Sequence, residues 1–318
     1  MTKKIVSAVV VTLLLLFTIM IAATTGKIQV TYLDFITGIF DSENSQMAAI
    51  RDLRFPRILV AVFAGAALSV AGVLLQAIMR NPLADAGIIG ISSGAAFSKL
   101  LIVSFFPVYF FYSPLAAFIG GAFACFLVFA LSWKSGLSPL KLILGGIAIN
   151  AVFSGLIEAM ISVGATTSGV TSSNLMLKTW DDVSVIVVYG SIGLILAFAM
   201  YRWCNVLVLS DKTAKSIGFN VNFARVLIGA IAVLLSAVSV VVAGVIAFVG
   251  ILVPHIARRI VGHDHKILIP FTALLGALII LVADTVGRTI TAPIEIPAST
   301  IMAIIGGPFL IFLIRKDK

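Results

Sequence analysis

The chain has 318 residues, of which 61% are hydrophobic and 11% are charged, with a mean hydropathy of +1.19. A soluble domain is nearer half apolar and a quarter charged, so this composition excludes an ordinary soluble protein and predicts an integral membrane protein. The formal net charge of +9 would suggest nucleic acid in a soluble chain. Here lysines and arginines at cytoplasmic loop ends explain it, so we expect membrane lipid and no nucleic acid as a partner.

Apolar segments follow one another along the whole chain, with short polar loops between them. A helix that crosses the membrane needs about 20 apolar residues, and no stretch long enough for a separate soluble domain remains. We therefore predict an all-α, multi-pass bundle that forms a single transmembrane domain over residues 1–318. The ten predicted spans cover residues 5–23, 57–79, 88–106, 114–133, 140–163, 183–201, 226–242, 251–261, 267–290 and 297–314.

The N-terminus is predicted to lie in the cytoplasm. Two lysines precede the first apolar run, which is longer than the apolar core of a signal peptide and therefore reads as a span. An even number of spans then returns the C-terminus to the cytoplasm, and most lysines and arginines fall in cytoplasmic loops. The opposite orientation would violate the positive-inside rule. We therefore expect a cell-membrane protein with both termini inside.

Residues 205–225 (NVLVLSDKTAKSIGFNVNFAR), called the polar segment below, form the longest run in the second half of the chain that a bilayer would not accept. Ser210 is placed to cap a short helix, with Asp211 in its first turn and Lys215 near its end, as the helix dipole favours. Gly218 follows where a left-handed residue ends a helix.

A second short helix, Val221–Ala224, is predicted to lead from the polar segment into the next apolar block. Two short helices at a membrane surface cannot bury themselves in lipid. We therefore predict that a cytosolic partner binds the polar segment and acts through it on the membrane part of the protein.

Ionisable groups inside a membrane are functional candidates by default, and this chain has few of them. Asp284 and Arg288 stand four residues apart on one helix face, so the sequence predicts a local ion pair. Glu158 has no local partner and faces either an aqueous pathway or another helix. A carrier coupled to protons or sodium needs more such groups, which favours energy supplied by another protein.

Motifs for catalysis or nucleotide binding are absent from the sequence. No G-x-x-x-x-G-K-[ST] occurs, so this chain is not expected to bind ATP through a P-loop, and no H-E-x-x-H indicates a zinc enzyme. The three histidines, His255, His263 and His265, are interpreted as structural residues near helix ends rather than as ligands of haem or a metal. We predict a transporter subunit, not an enzyme, with no metal and no cofactor bound by this chain.

Six motifs together carry a specific resemblance over nearly the whole length. The chain resembles the membrane permease of type II ABC importers for iron complexes and vitamin B12, the FecCD/BtuC-like family. The motifs are LRFPR (53–57), GAALSVAGVLLQAIMRNPLADAGIIGISSGA (65–95), SDKTAKSIGFNVNFAR (210–225), FVGILVPHIARRIVGHDHK (248–266), LVADTVGR (281–288) and EIPASTIMAIIGGPFLIFLI (295–314).

The resemblance implies ten helices per subunit in a homodimer, with one pathway on the two-fold axis. It also implies that the polar segment contains the coupling helices, which lodge in a separate cytosolic ATPase subunit that binds the ATP. The matching residues are Ser210, Asp211, Lys212, Ala214, Lys215, Ser216, Ile217, Gly218, Phe219 and Asn220.

Two further sets of residues match functional positions of the family. Arg54, Arg57 and Arg288 match arginines on the outer face that pair with glutamates of an extracellular substrate-binding protein or lipoprotein. Asn81 and Leu83 match the inner gate. Pro139 and Leu140 fall where a second gate pair lies, although small polar residues are usual there.

The cargo and the class of protein each have alternatives at this point. Three segments, IGFN, LKTWDDV (177–183) and EIPASTIMAIIGGP, resemble the sequences of the Isd-type haem permeases of Gram-positive bacteria. This resemblance favours haem as the cargo over ferric siderophores and places vitamin B12 third. The other classes are a stand-alone secondary carrier or channel, and a membrane-embedded enzyme or structural bundle. Uptake driven by an ion gradient without an ATPase would indicate the carrier, and a polar constellation at one depth would indicate the enzyme.

Overall fold

The computed structural model describes residues 2–26, 47–48, 50–133, 139–165, 175–292 and 294–316, and within these ranges the regular structure is helical throughout. A π-helical turn, Ile50–Arg54, precedes α2, and a 3₁₀ segment, Pro107–Tyr112, precedes α4. The helices are α1 (Thr2–Thr24), α2 (Phe55–Met79), α3 (Ile91–Phe105), α4 (Ser113–Trp133), α5 (Pro139–Ser162), α6 (Trp180–Ala199), α7 (Tyr201–Leu207), α8 (Asp211–Ser216), α9 (Val221–Ala243), α10 (Val249–Val261), α11 (His265–Thr289) and α12 (Ala298–Lys316).

Each predicted span overlaps one of these helices. In the described part of the chain, seven helical stretches are long and apolar enough to cross a membrane, in α1, α2, α4, α5, α6, α9 and α11. Two shorter apolar helices lie in α3 and α12. The protein is therefore a multi-pass membrane protein, and the count of ten spans stays a prediction. The prediction of a separate helix over Val221–Ala224 is wrong, because these residues form the first turn of α9.

Helix α2 lies at the centre of the bundle, where it packs against α6, α9, α10 and α11. Its apolar stretch is 83% buried, against 17% for the corresponding stretches of α1 and α5. Close approach depends on glycine, since a Cβ built on Gly72 would overlap the Gly250 carbonyl, and one on Gly65 would overlap the Gly276 carbonyl. Small residues let helix backbones come together in lipid, and here they place α2 in direct contact with α10 and α11.

An arginine stands at each end of the central helix. Arg57 lies in the first turn of α2, and Arg80 is the residue that follows its last turn. At a rise of about 1.5 Å per residue, the two Cα atoms are separated by roughly 35 Å along the helix, close to the thickness of a bilayer. The Arg57 end and the Arg80 end of the bundle therefore lie at opposite surfaces, and each carries one set of candidate functional residues.

Candidate functional site

The polar segment folds into the end of α7, all of α8 and the first turn of α9, and local hydrogen bonds fix the starts of α8 and α9. The Ser210 hydroxyl oxygen accepts from the backbone N–H of Thr213 at 3.2 Å, which confirms the predicted N-cap of α8. The Asn220 side-chain oxygen accepts from the N–H of Phe223 at 3.1 Å and caps α9 in the same way. Both caps satisfy N–H groups that a helix leaves unpaired at its start.

Helix α8 ends in a Schellman motif. The N–H of Phe219 donates to the Ala214 carbonyl at 3.1 Å, and the N–H of Gly218 donates to the Lys215 carbonyl at 3.0 Å. Gly218 has φ +78°, as predicted, and a side chain at this backbone conformation would be strained. With Ala214 fully buried, the turn that follows α8 is held by both hydrogen bonding and packing.

Asp211 binds two arginines from different parts of the chain. Its carboxylate accepts two hydrogen bonds from Arg225, each at 3.0 Å, and lies 2.5 Å from an Nη of Arg80. Burial acts to raise the pKa of Asp211, but hydrogen bonds and charge attraction from Arg225 and Arg80 outweigh it, so the pKa lies below its ordinary value. The carboxylate therefore stays ionised at neutral pH and joins the polar segment to the end of α2.

The side of α8 away from the bundle carries the side chains that a soluble partner could contact. Lys212, Lys215 and Ser216 are exposed, and 63% of Ile217 is exposed at the tip of the segment. Behind this surface, the Trp203 ring packs edge-on against Phe219 with centroids 5.8 Å apart. These exposed side chains are open to solvent on a short helix that is fixed from behind, so a soluble partner could reach them.

A second set of hydrogen bonds ties the polar segment to the start of α11. The Asn205 amide donates to the Asp264 carboxylate at 2.8 Å, and the Asn205 side-chain oxygen accepts from the His265 N–H at 3.0 Å. The same oxygen lies 2.7 Å from Nδ1 of the buried His265, which is the first residue of α11. The prediction that this histidine is a structural residue at a helix end is confirmed, although its ring contacts a side chain rather than the backbone.

The loop from Arg80 to Gly90, called the 80–90 loop below, contains the predicted gate residues Asn81 and Leu83. The Asn81 side-chain oxygen accepts from the N–H of Leu83 at 2.9 Å, and the Asn81 carbonyl accepts from the N–H of Ala84 at 3.1 Å. These bonds form a tight turn directly after α2, as the Asn-Pro pair predicts. Pro139 and Leu140 begin α5, and their side chains lie outside the described part of the structure.

Asp85 fixes the middle of the 80–90 loop, and sequence reasoning did not single it out. Its buried carboxylate accepts from the N–H groups of Ala86, Gly87 and Gly250. Burial raises the pKa of Asp85 to about 6, and the three N–H donors oppose that effect. The Gln76 amide adds a hydrogen bond of 2.8 Å to the Gly250 carbonyl, so the loop and the start of α10 are held together.

Arg57 at the other end of α2 is enclosed by two carboxylates. Its guanidinium donates to both oxygens of Asp284, each at 2.8 Å, and to Glu295 at 2.7 Å. The Asp284 side chain is 3% exposed and the Arg57 side chain is 12% exposed, whereas Glu295 keeps 21% of its surface. The prediction that Asp284 pairs with Arg288 is wrong, because a bidentate arginine from another helix offers a better geometry.

Arg54 and Arg288 bind the end of α1. Arg54 donates to the Ala23 carbonyl at 2.6 Å, and Arg288 donates to the Ala22 carbonyl. These carbonyls belong to the last turn of α1, where unpaired C=O groups and the helix dipole attract cations. The structure therefore brings the three predicted docking arginines to one end of the bundle, and each has a partner within the chain.

The geometry defines a multi-pass helical membrane protein with a polar, solvent-exposed segment at one surface and an arginine cluster at the other. The model of the FecCD transport family matches residues 14–316, and the chain belongs to this family. It is 41% identical over 305 residues to "Probable heme-iron transport system permease protein IsdF" of Staphylococcus aureus strain MSSA476, covering 96% of this chain and 94% of that protein. The corresponding protein of strain USA300 is 40% identical over the same coverage.

Two solved structures share the fold. One, described as "An inward-facing conformation of a putative metal-chelate type ABC transporter", is 30% identical with a TM-score of 0.82, covering 98% of this chain and 99% of that chain. The second, PsaBC from Streptococcus pneumoniae in complex with Fab, is 15% identical with a TM-score of 0.57, covering 89% and 95%. The second likeness concerns the fold alone. The relatives are permeases, so the chain is an ABC-type membrane permease.

Proposed function

We propose that this protein is the membrane subunit of an ATP-driven importer of an iron complex, with haem as its cargo. The observation that carries the proposal is the polar segment. Its short helix α8 is capped at both ends and carries the exposed side chains of Lys212, Lys215 and Ile217. A rigid surface of this kind, attached to a bundle with few internal charges, suits a protein that receives its energy from a cytosolic ATPase subunit. The ATP would be bound and hydrolysed by that subunit.

The arginine cluster is proposed as the docking site for a substrate-binding protein outside the cell. In this structure Arg57 already holds a carboxylate, Glu295, that is partly exposed at the surface. We propose that a glutamate of the docking protein takes the place of Glu295, while Asp284 stays bound beneath. Docking is then an exchange of one ion pair for another, which favours orientation and rapid association over tight binding.

The proposed assembly is a homodimer of ten-span subunits with cytoplasmic termini. Helices α5 and α12 carry exposed aliphatic side chains, among them Leu144 and Leu156 on α5 and Ile304 on α12. Glu158 is exposed on α5 as well, and a carboxylate that faces lipid is costly. A pathway filled with water on the two-fold axis between two copies of α5 would accommodate both the apolar surface and Glu158.

The choice of haem follows from the relatives named for heme-iron transport, together with the apolar character of the bundle. In the described part of the chain, no group of three or more His, Cys, Asp and Glu residues could hold a metal ion. A path for bare cations would need such ligands, so a chelated or porphyrin-bound iron fits better. Ferric siderophores are the alternative cargo and vitamin B12 the third.

Reconstitution in liposomes tests the proposal. The permease is incorporated with its cognate ATPase subunit, the cognate substrate-binding protein is added outside, and uptake of haem is compared with uptake of a ferric siderophore. We expect ATP-dependent accumulation of haem that requires all three proteins. If only the siderophore accumulates, the protein is still an ATP-driven importer, but its cargo is a ferric siderophore and not haem. Uptake that follows an ion gradient without the ATPase would instead establish a secondary carrier.

A further inference from the structure

Arg80 joins three elements at the end of the central helix. Its backbone ends α2, since its N–H donates to the Gln76 carbonyl. Its side chain reaches the polar segment twice, with Nε 2.7 Å from the Leu207 carbonyl and Nη2 2.5 Å from the Asp211 carboxylate. The guanidinium therefore lies between the end of α7 and the beginning of α8, where it offsets the negative end of one helix dipole and binds the carboxylate of the other helix.

The backbone of Arg80 has a strained conformation. Arg80 has φ +48° and ψ +38°, a left-handed conformation that is unfavourable for a residue with a side chain. Glycine or asparagine would adopt it more easily. A strained backbone persists only where surrounding contacts compensate for it, and here the contacts are the two hydrogen bonds to the polar segment.

The residues that follow Arg80 hold the 80–90 loop. Asn81 and Leu83 form the turn after α2, and Asp85 binds the N–H of Gly250 at the start of α10. A displacement of Arg80 would therefore be transmitted to the candidate gate residues within one to three positions along the chain. The other partner of Asp211, Arg225, belongs to the polar segment itself, and both of its hydrogen bonds go to Asp211.

We propose that Arg80 is the positioning residue through which movement of the polar segment reaches the 80–90 loop. The inference rests on the proposed function, because it assumes that an ATPase subunit moves the polar segment. The Arg80 side chain binds the Leu207 carbonyl at the end of α7 and the Asp211 carboxylate of α8. The candidate gate residues follow Arg80 directly along the chain. Arg225, by contrast, gives Asp211 an ion pair of the same chemistry from within the polar segment itself.

The test compares Arg80→Gln with the matched control Arg225→Gln, each in the complete complex with the cognate ATPase subunit in liposomes. Spin labels at the exposed positions Pro82→Cys and Val208→Cys report the distance between the 80–90 loop and the polar segment with and without ATP, and haem uptake is measured per ATP hydrolysed. In Arg80→Gln we expect the ATP-dependent distance change to disappear and uptake per ATP to fall roughly tenfold. In Arg225→Gln we expect the distance change to remain.

Arg80→Lys serves as a second variant in case the glutamine variant does not assemble. An ammonium group retains the charge but lacks the planar fork that reaches both acceptors, so a partial loss of both signals is expected. Wild-type values for both readouts in either Arg80 variant would overturn the inference. Absence of an ATP-dependent distance change in the wild-type complex would instead contradict the proposed function itself, so the two failures are distinguishable.

Discussion

The two ends of the central helix use charge in opposite ways. At the Arg57 end, the cation is enclosed by Asp284 and Glu295, and Arg54 and Arg288 bind backbone carbonyls. At the Arg80 end, the two lysines of α8 are exposed, and Asp211 forms ion pairs with Arg80 and Arg225. The first region satisfies its charges within the chain, whereas the second leaves Lys212 and Lys215 exposed to solvent.

The largest effect is expected from Arg57→Ala. The substitution leaves the buried Asp284 side chain without its guanidinium partner, and breaking a buried pair in this way costs about 3–5 kcal/mol. We expect a marked fall in the thermal midpoint of the purified protein in detergent, with Arg57→Lys falling less. A midpoint equal to that of the wild type would show that the arginine cluster contributes little to the folded state and is an open docking surface instead.

A smaller loss is expected from Gly72→Ala in the helix that connects the two regions. The new Cβ would overlap the Gly250 carbonyl, and such overpacking costs about 1–3 kcal/mol. Gly155 provides the matched control, because a Cβ there meets nothing within 4 Å. Gly155→Ala should leave the thermal midpoint unchanged or raise it, since alanine is the better helix former. Equal midpoints for the two variants would contradict the close approach of α2 and α10.

The pH dependence of stability should depend on Asp85. Its folded-state pKa of about 6 lies above its ordinary value of 3.8, so the folded protein holds this proton more tightly than the unfolded chain. The stabilising contribution is then complete below the ordinary value and is lost as pH rises through the folded-state pKa. Thermal midpoints at pH 5 and pH 7 should differ less in Asp85→Asn than in the wild type. The same difference in both proteins would refute this assignment.

The smallest effect on stability is expected from Lys215→Glu. The Lys215 side chain is exposed, and reversing its charge in the last turn of α8 costs less than about 1 kcal/mol through the helix dipole. Binding of the ATPase subunit, measured by co-purification, should nevertheless weaken, because the charge of the contact surface is reversed. Lys141→Glu on α5 is the control for a general charge effect. If Lys215→Glu co-purifies with the ATPase subunit as well as the wild type does, α8 is not part of the ATPase contact.

The sequence predicted the local features of both regions but not the contacts between distant residues. Helix boundaries, the Ser210 cap and the left-handed Gly218 follow from propensity and capping rules that act within a few residues. The spacing rule for one helix face paired Asp284 with Arg288, whereas the structure pairs it with Arg57, 227 residues away.

Contacts set by packing show the same limit. The pairing of Arg80 with Asp211 and the role of Asp85 depend on how α2, α8 and α10 approach one another. No local pattern encodes that approach, and between α2 and α10 it depends on the contact of Gly72 with Gly250, residues far apart in the sequence. The resemblance to known permeases predicts roles for Asp211 and Arg57, but it does not indicate their partners within this chain.

Site-specific cross-linking to the ATPase subunit tests the central claim most directly. A photoreactive amino acid replaces Ile217, which is 63% exposed at the tip of the polar segment, or Ile294, which is 75% exposed near Glu295 at the opposite end. In membranes that contain both subunits, we predict a cross-link to the ATPase from position 217 and none from position 294. A cross-link from position 294, or none from position 217 in a complex that hydrolyses ATP, would contradict the account.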